Sequence, residues 1–116
     1  MEKVTVVGNT SWGNTIAALL GRTGLEARLL TRSEEETLLL QSSGLGYSPT
    51  HRVQEALEGA RFVVWAVPSQ TMRANATRLR GVLGPDVCHV SAAKGLEVES
   101  GKRMTQVLEA VLGDGP

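Results

Sequence analysis

The stretch Val4-Thr5-Val6-Val7-Gly8-Asn9-Thr10-Ser11-Trp12-Gly13 decides the reading of this chain. An apolar run ends at Gly8, and a run with helical spacing follows, Asn14 to Leu20. The pattern predicts a strand over Lys3 to Val7, a tight glycine turn, and a helix over Ser11 to Arg22 that Thr23-Gly24 ends. A helix start offers free backbone N–H groups and the positive end of a dipole, which together favour a phosphate. In the first such turn of an alternating β/α chain the expected guest is a dinucleotide pyrophosphate. Such turns carry glycine at the first, third and sixth positions. Gly8 and Gly13 supply the first and sixth, and Thr10 stands third. Thr10 either pushes the phosphate outward with its Cβ or donates its hydroxyl to it.

Downstream, the alternation continues. Ala27 to Leu30 reads as a strand, and Ser33 as the N-cap of a short helix, Glu34 to Gln41, whose three glutamates suit the helix dipole as a solvated first turn. In helix one, Ile16, Leu19 and Leu20 are expected on one inner face. Ser42 to Tyr47 reads as a loop. Ser48-Pro49 is expected to open a helix to about Glu58, with a fifth short strand near His51. Phe62 to Val67 is apolar throughout, as in a parallel strand covered on both faces. A helix over Ser69 to Arg80, a turn at Gly84-Pro85, a strand over Val87 to Ala92 and a helix over Gly101 to Leu112 complete the chain. Met104, Val107, Leu108 and Val111 form the apolar stripe of that last helix. Parallel strands with crossover helices give a three-layer, doubly wound α/β domain of the Rossmann type. Its ligand site lies beyond the carboxyl ends of the strands. The segments there are the glycine turn, Thr31-Arg32-Ser33, Val67-Pro68-Ser69 and Ala93-Lys94-Gly95.

Composition narrows the class. A chain of 116 residues suits one domain. Twelve basic and twelve acidic residues give no net charge, which disfavours nucleic acid and membrane surfaces. Aromatic residues make up 3 %, too few for base-stacking platforms. Cys88 is the single cysteine, so an internal disulfide is excluded and a reducing cytoplasm is expected. Its place in an apolar strand points to packing rather than reactivity. No metal cluster and no membrane span are expected.

The end of strand two discriminates between nicotinamide cofactors. NAD readers place an acid there for the ribose hydroxyls. Here Leu29-Leu30-Thr31-Arg32 offers none before Glu34. Arg32 can face a 2′-phosphate or lie on the adenine ring, so NADP is preferred over NAD.

These motifs fall into one register. With Gly8 to Gly13, Arg32, Glu55-Ala56-Leu57, Gly59-Ala60, Ala66-Val67-Pro68-Ser69, Lys94-Gly95-Leu96-Glu97 and Gly101-Lys102-Arg103-Met104, the chain resembles the N-terminal domain of bacterial NAD(P)-dependent glycerol-3-phosphate dehydrogenase. That resemblance implies reduction of dihydroxyacetone phosphate to sn-glycerol 3-phosphate, feeding phospholipid synthesis. It implies contacts of Ser11 and Trp12 with the pyrophosphate region of the cofactor and of Arg32 with its adenosine end, beside the candidates Gly8, Thr10 and Gly13 of the glycine turn and Pro68 at a strand end. It gives Lys94 contact with both cofactor and substrate phosphate. Trp12 covering the turn and Lys94 as a solvated loop residue are the plainer alternatives. Thr10, and a short stretch from Thr37 to Thr50, depart from the family pattern. The resemblance also implies a helical second domain carrying the acid/base lysine, expected beyond Pro116. No catalytic residue is therefore expected within the chain, which should be an incomplete enzyme on its own. A phosphorylated small molecule is the expected partner, and oligomers are possible. Two other readings stand beside this one: a related two-domain dehydrogenase such as ketopantoate reductase, and a non-catalytic nucleotide-sensing module.

Overall fold

Strands and helices alternate through the computed structural model, which describes residues 2–41 and 46–113. In chain order they are β1 (Lys3–Val7), α1 (Ser11–Arg22), β2 (Glu26–Leu30), α2 (Glu34–Gln41), β3 (Ser48–Thr50), α3 (Val53–Leu57) and β4 (Ala60–Trp65). A 3₁₀ turn (Ser69–Thr71) then runs into α4 (Met72–Leu79), followed by β5 (Cys88–Ser91) and α5 (Met104–Leu112). The five strands form one sheet in the order β3-β2-β1-β4-β5, with every neighbouring pair parallel. The winding starts at the centre, runs out to β3, then returns across β1 to β4. The order therefore reverses between β1 and β4, which opens a crevice at their carboxyl ends.

Side-chain alternation along the strands builds two cores. Val4, Val6, Ala27, Leu29 and Val64 pack on one face, against Ala17 of α1. Val7, Leu30, Val63 and Trp65 pack on the other, against α4 and α5 through Met72, Ala76, Leu79, Met104, Val107 and Leu108. Burying each large apolar side chain contributes about 1.5–3 kcal/mol. Thr5, buried in β1, donates its hydroxyl to the carbonyl of Ala56, so its polar atom is not stranded.

Three sequence expectations are corrected. Ser48-Pro49 opens no helix; it lies in β3, paired with Arg28 and Leu29 of β2. β3 is an edge strand, where a missing N–H is tolerated. The helix that follows is only Val53–Leu57. Leu19 leaves the inner face of α1 and is 54 % exposed, while Gly13 and Ala17 are buried. These two small residues let the helix settle close on the strands, and Leu19 falls about 200° around the helix from Ala17. The last helix starts at Met104 rather than Gly101, because Gly101 takes a left-handed turn at φ 70°. Cys88 is half-buried at the start of edge strand β5. The loop expected from Ser42 lies, over residues 42–45, outside the described residues.

Trp65 is fully buried, and its indole N–H donates to Nδ1 of His89 at 3.0 Å. Burial pushes the His89 pKa below its ordinary value of 6.5. The same hydrogen bond requires Nδ1 to stay unprotonated. An imidazole with a lowered pKa in the fold takes its proton first in the unfolded chain. The fold should therefore lose stability as pH falls below about 6.5, and hold it above. Chemical denaturation across that range should show this slope, and His89→Gln should flatten it.

Candidate functional site

The glycine turn is held by contacts that leave almost no free volume. Gly8 has φ 125°, and a Cβ there would lie 2.5 Å from the carbonyl oxygen of Ala66 at the end of β4. A Cβ on Gly13 would lie 2.2 Å from the carbonyl oxygen of Gly8. Gly8 is thus required by backbone conformation and contact, and Gly13 by the approach of α1 to the turn. Thr10 is the N-cap of α1. Its hydroxyl accepts from the Gly13 N–H at 2.9 Å and donates to the Ala66 carbonyl at 3.0 Å. The single hydroxyl proton is committed to the sheet, so Thr10 ties the turn to β4. The N–H groups of Ser11 and Trp12 precede the first intrahelical hydrogen bonds and face no helical acceptor.

Two cavities flank this turn at the carboxyl edge and share Thr10, Val67 and Pro68. The first, about 250 Å³, lies beyond β1 and β2 and is also lined by Gly8, Asn9, Arg32, Asn75 and Arg78. The second, about 460 Å³, lies beyond β4 and β5 and is also lined by Trp12, Ser69, Ala92, Ala93 and Lys94. Six of the eight residues expected from the sequence therefore line one or both cavities: Gly8, Thr10, Trp12, Arg32, Pro68 and Lys94. Ser11 is exposed at the helix start, and Gly13 is buried beneath the turn. A larger depression, about 760 Å³, lies among Gly59, Arg61, Gly84 and Asp86 near the start of β4. It is remote from the glycine turn, and doubly wound sheets hold their ligands at the opposite edge.

The polar surroundings of the first cavity were only partly legible. Glu34 and Glu35 are exposed, as a solvated helix turn should be, but Glu36 is not. Its carboxylate accepts from the Asn9 side-chain amide at 2.9 Å and lies 3.3 Å from the Arg32 guanidinium. The Asn9 hydrogen bond, and then the Arg32 charge, hold the Glu36 carboxyl below its ordinary pKa. Asn14 donates to the Asn9 side chain and to the Thr10 carbonyl, both at 2.8 Å, and accepts from the Tyr47 hydroxyl. Asn9, Asn14, Glu36 and Arg78 are the site residues that sequence reasoning missed. The i,i+4 spacing of Arg32 and Glu36 was the available signal for one of them.

In the second cavity Lys94 places its ammonium 6.0 Å from the centroid of the Trp12 ring. Lys94 follows β5, and Trp12 opens α1, so the fold brings together residues 82 positions apart in the chain. Both are exposed, which leaves charge and ring open to a guest. Neither histidine lines either cavity.

A doubly wound sheet, a glycine turn at a helix start and paired cavities at the strand ends define a dinucleotide-binding domain of the Rossmann class. The family described as NAD-dependent glycerol-3-phosphate dehydrogenase N-terminus matches over residues 47–116. The chain belongs to this family. A glycerol-3-phosphate dehydrogenase [NAD(P)+] of Syntrophomonas wolfei is 40 % identical, over 97 % of this chain and 36 % of that protein. One from Corynebacterium jeikeium is 38 % identical, over 96 % of this chain and 37 % of its own length. The chain thus spans little more than a third of these curated relatives. The crystal structure of glycerol-3-phosphate dehydrogenase from Coxiella burnetii has the same fold, with a TM-score of 0.89 at 21 % identity, covering 98 % of this chain and 38 % of that one. Membership of this family sets aside the ketopantoate reductase reading.

The turn itself is open to test. Gly13→Ala should destabilise the domain by about 2 kcal/mol or more, because the added Cβ meets backbone that cannot yield. Thr10→Val keeps the shape but removes both hydroxyl hydrogen bonds, and should cost about 1–2 kcal/mol. Urea denaturation checks both. A Thr10→Val variant as stable as the parent would show that the hydroxyl does not anchor the turn.

Proposed function

We propose that this chain binds NADP(H), and NAD(H) more weakly, as the cofactor domain of a glycerol-3-phosphate dehydrogenase. The pairing of two cavities across one glycine turn carries this reading, because a dinucleotide has two halves joined by a pyrophosphate. The N–H groups of Ser11 and Trp12 at the start of α1 would hold the pyrophosphate, with Gly8 and Gly13 shaping the turn beneath it. Arg32 and Arg78 would hold the adenosine half, and Trp12, Pro68 and Lys94 the nicotinamide half. Thr10 contributes by anchoring the turn through its hydroxyl bond to Ala66 rather than by donating to the phosphate. The residues present fit the group: among the described residues, the first cavity is lined by two guanidinium side chains and no carboxylate. Arg32, 79 % exposed beside Glu36, can turn to a 2′-phosphate.

A bound nicotinamide supplies the hydride for reduction of dihydroxyacetone phosphate to sn-glycerol 3-phosphate. Lys94 adds one positive charge beside it, suited to the substrate phosphate or to a carbonyl gaining negative charge. The reaction also needs a proton donor at the developing alkoxide. Among the described residues Lys94 is the only titratable side chain lining the second cavity. We assign the donor, and most of the substrate pocket, to a further part of the whole enzyme. The lone cysteine fits a reducing, cytoplasmic setting. Among the described residues no helix is long and apolar enough to cross a membrane.

Two outcomes follow. Calorimetry should show NADPH binding more tightly than NADH, and Arg32→Ala should remove roughly ten- to a hundredfold of NADPH affinity while sparing NADH. Equal affinity of the parent for both would contradict the NADP preference. The purified 116-residue chain should show no reduction of dihydroxyacetone phosphate with saturating NADPH. Robust turnover would require a proton donor within it and overturn the assignment.

A further inference from the structure

We propose that Gln70, Arg73 and Glu97 are positioning residues that hold Lys94 in place over Trp12. The proposal rests on the reading of Lys94 as a cofactor contact and extends it to residues that line neither cavity.

Before Lys94 the chain is fixed, since the Ala92 N–H donates to the Trp65 carbonyl at 2.9 Å and Ala93 packs against the core, but after it the segment has little of its own to hold it. Gly95 follows at φ 93°, so the backbone turns immediately after the lysine. Leu96 and Val98 are 54 % and 80 % exposed and bury no apolar anchor. Internal bonds close the segment on itself: Glu97 N–H donates to the Lys102 carbonyl at 2.8 Å, and Gly101 N–H to the Glu97 carbonyl at 2.7 Å. Those bonds, with the Leu96–Arg103 bridge, shape the loop and join its far leg to the start of α5 at buried Met104, but they do not fix the loop against the wall of the cavity.

Its position against that wall is set by Gln70 and Arg73. The Gln70 side chain works like a short strand edge: its amide donates to the Leu96 carbonyl at 2.9 Å and its oxygen accepts from the Val98 N–H at 3.0 Å. One turn further on, Arg73 grips Glu97 through Nε and Nη2, both at 2.9 Å. Two parallel charge-assisted bonds fix distance and orientation together. The Glu97 carboxyl is held at a pKa of about 2, first by Arg73 and then by the Ser100 hydroxyl, so the pair persists at any ordinary pH. Gln70 directly follows Pro68-Ser69, which line the same cavity as Lys94. The clamp therefore joins the two walls between which a guest would lie.

Iodide quenching of tryptophan fluorescence reports the position of Lys94 without any cofactor. Trp65 is fully buried, so quenching comes from Trp12, and the nearby ammonium concentrates iodide there. Lys94→Ala should lower the iodide Stern–Volmer constant about twofold and leave quenching by neutral acrylamide unchanged. Gln70→Ala, which alters no charge, should do the same. Glu97→Gln removes a negative charge, so general electrostatics alone would raise iodide quenching; displacement of Lys94 lowers it. Arg73→Lys, which keeps the charge and one bond, should fall between parent and Gln70→Ala. Calorimetry with NADPH then tests the consequence. Gln70→Ala and Glu97→Gln should each weaken binding about three- to tenfold in the parent and cause no further loss in a Lys94→Ala background. Parental iodide quenching in both variants overturns the proposal. Equal weakening with and without Lys94 overturns it too, since the effect would not pass through the lysine. If Lys94→Ala lowers quenching yet binds NADPH like the parent, the cofactor reading of Lys94 fails, and the functional role of the clamp fails with it.

Discussion

The contact of the Gly8–Gly13 turn with the end of β4 is the constraint from which the rest follows. Gly8 sits against the Ala66 carbonyl, Gly13 against the Gly8 carbonyl, and the Thr10 hydroxyl bridges from α1 to the same Ala66 oxygen. Backbone meets backbone here, so α1 has one seat on the sheet. That seat aims the first N–H groups of α1 over the carboxyl edge, at the point where the strand order reverses. It also brings Trp12 out beside Lys94 and sets Asn9 against Glu36. A side chain larger than hydrogen at either glycine would displace all of these together.

Thr10 shows how a turn can depart from the usual glycine pattern and keep its geometry. The residue has the Cβ that the pattern avoids, but its hydroxyl does structural work in return, capping the helix and tying it to β4. The polar chain then runs outward, from Tyr47 through Asn14 and Asn9 to Glu36 and Arg32. It links the glycine turn to α2 and to Tyr47, the residue before β3. The cavity beyond β1 and β2 is therefore bordered by hydrogen-bonded side chains, whereas the one beyond β4 and β5 is walled by Val67, Pro68, Ala92 and Ala93, with Lys94 the one cation among its described lining residues.

Much of this was legible in the sequence because the periodicities were strong. Phe62 to Val67 is a continuous apolar run and Val4 to Val7 is broken only by Thr5, and they supply the inner parts of the central strands β4 and β1. The α5 stripe packs as spaced. Failures came where two physical readings compete. Ser48-Pro49 satisfies the rules for a helix start, but Pro49 is also acceptable in an edge strand, and pairing with β2 prevailed. Leu19 fits a helical apolar face until one knows that Gly13 and Ala17 set the contact line. Glu36 looked like its two neighbours because its partner, Asn9, lies 27 residues away in the chain. Arg78 and the clamp at Gln70 and Arg73 depend likewise on long-range placement, which local pattern does not encode.

The central claim is that one dinucleotide lies across the glycine turn with its two ends in the two flanking cavities. Backbone amide chemical shifts of the isotope-labelled chain, titrated with NADPH, test it most directly. The account predicts the largest changes at Gly8 to Gly13, with separate changes around Arg32 and around Lys94. Changes confined to the depression near Gly59 and Asp86, or to only one side of the turn, would contradict it.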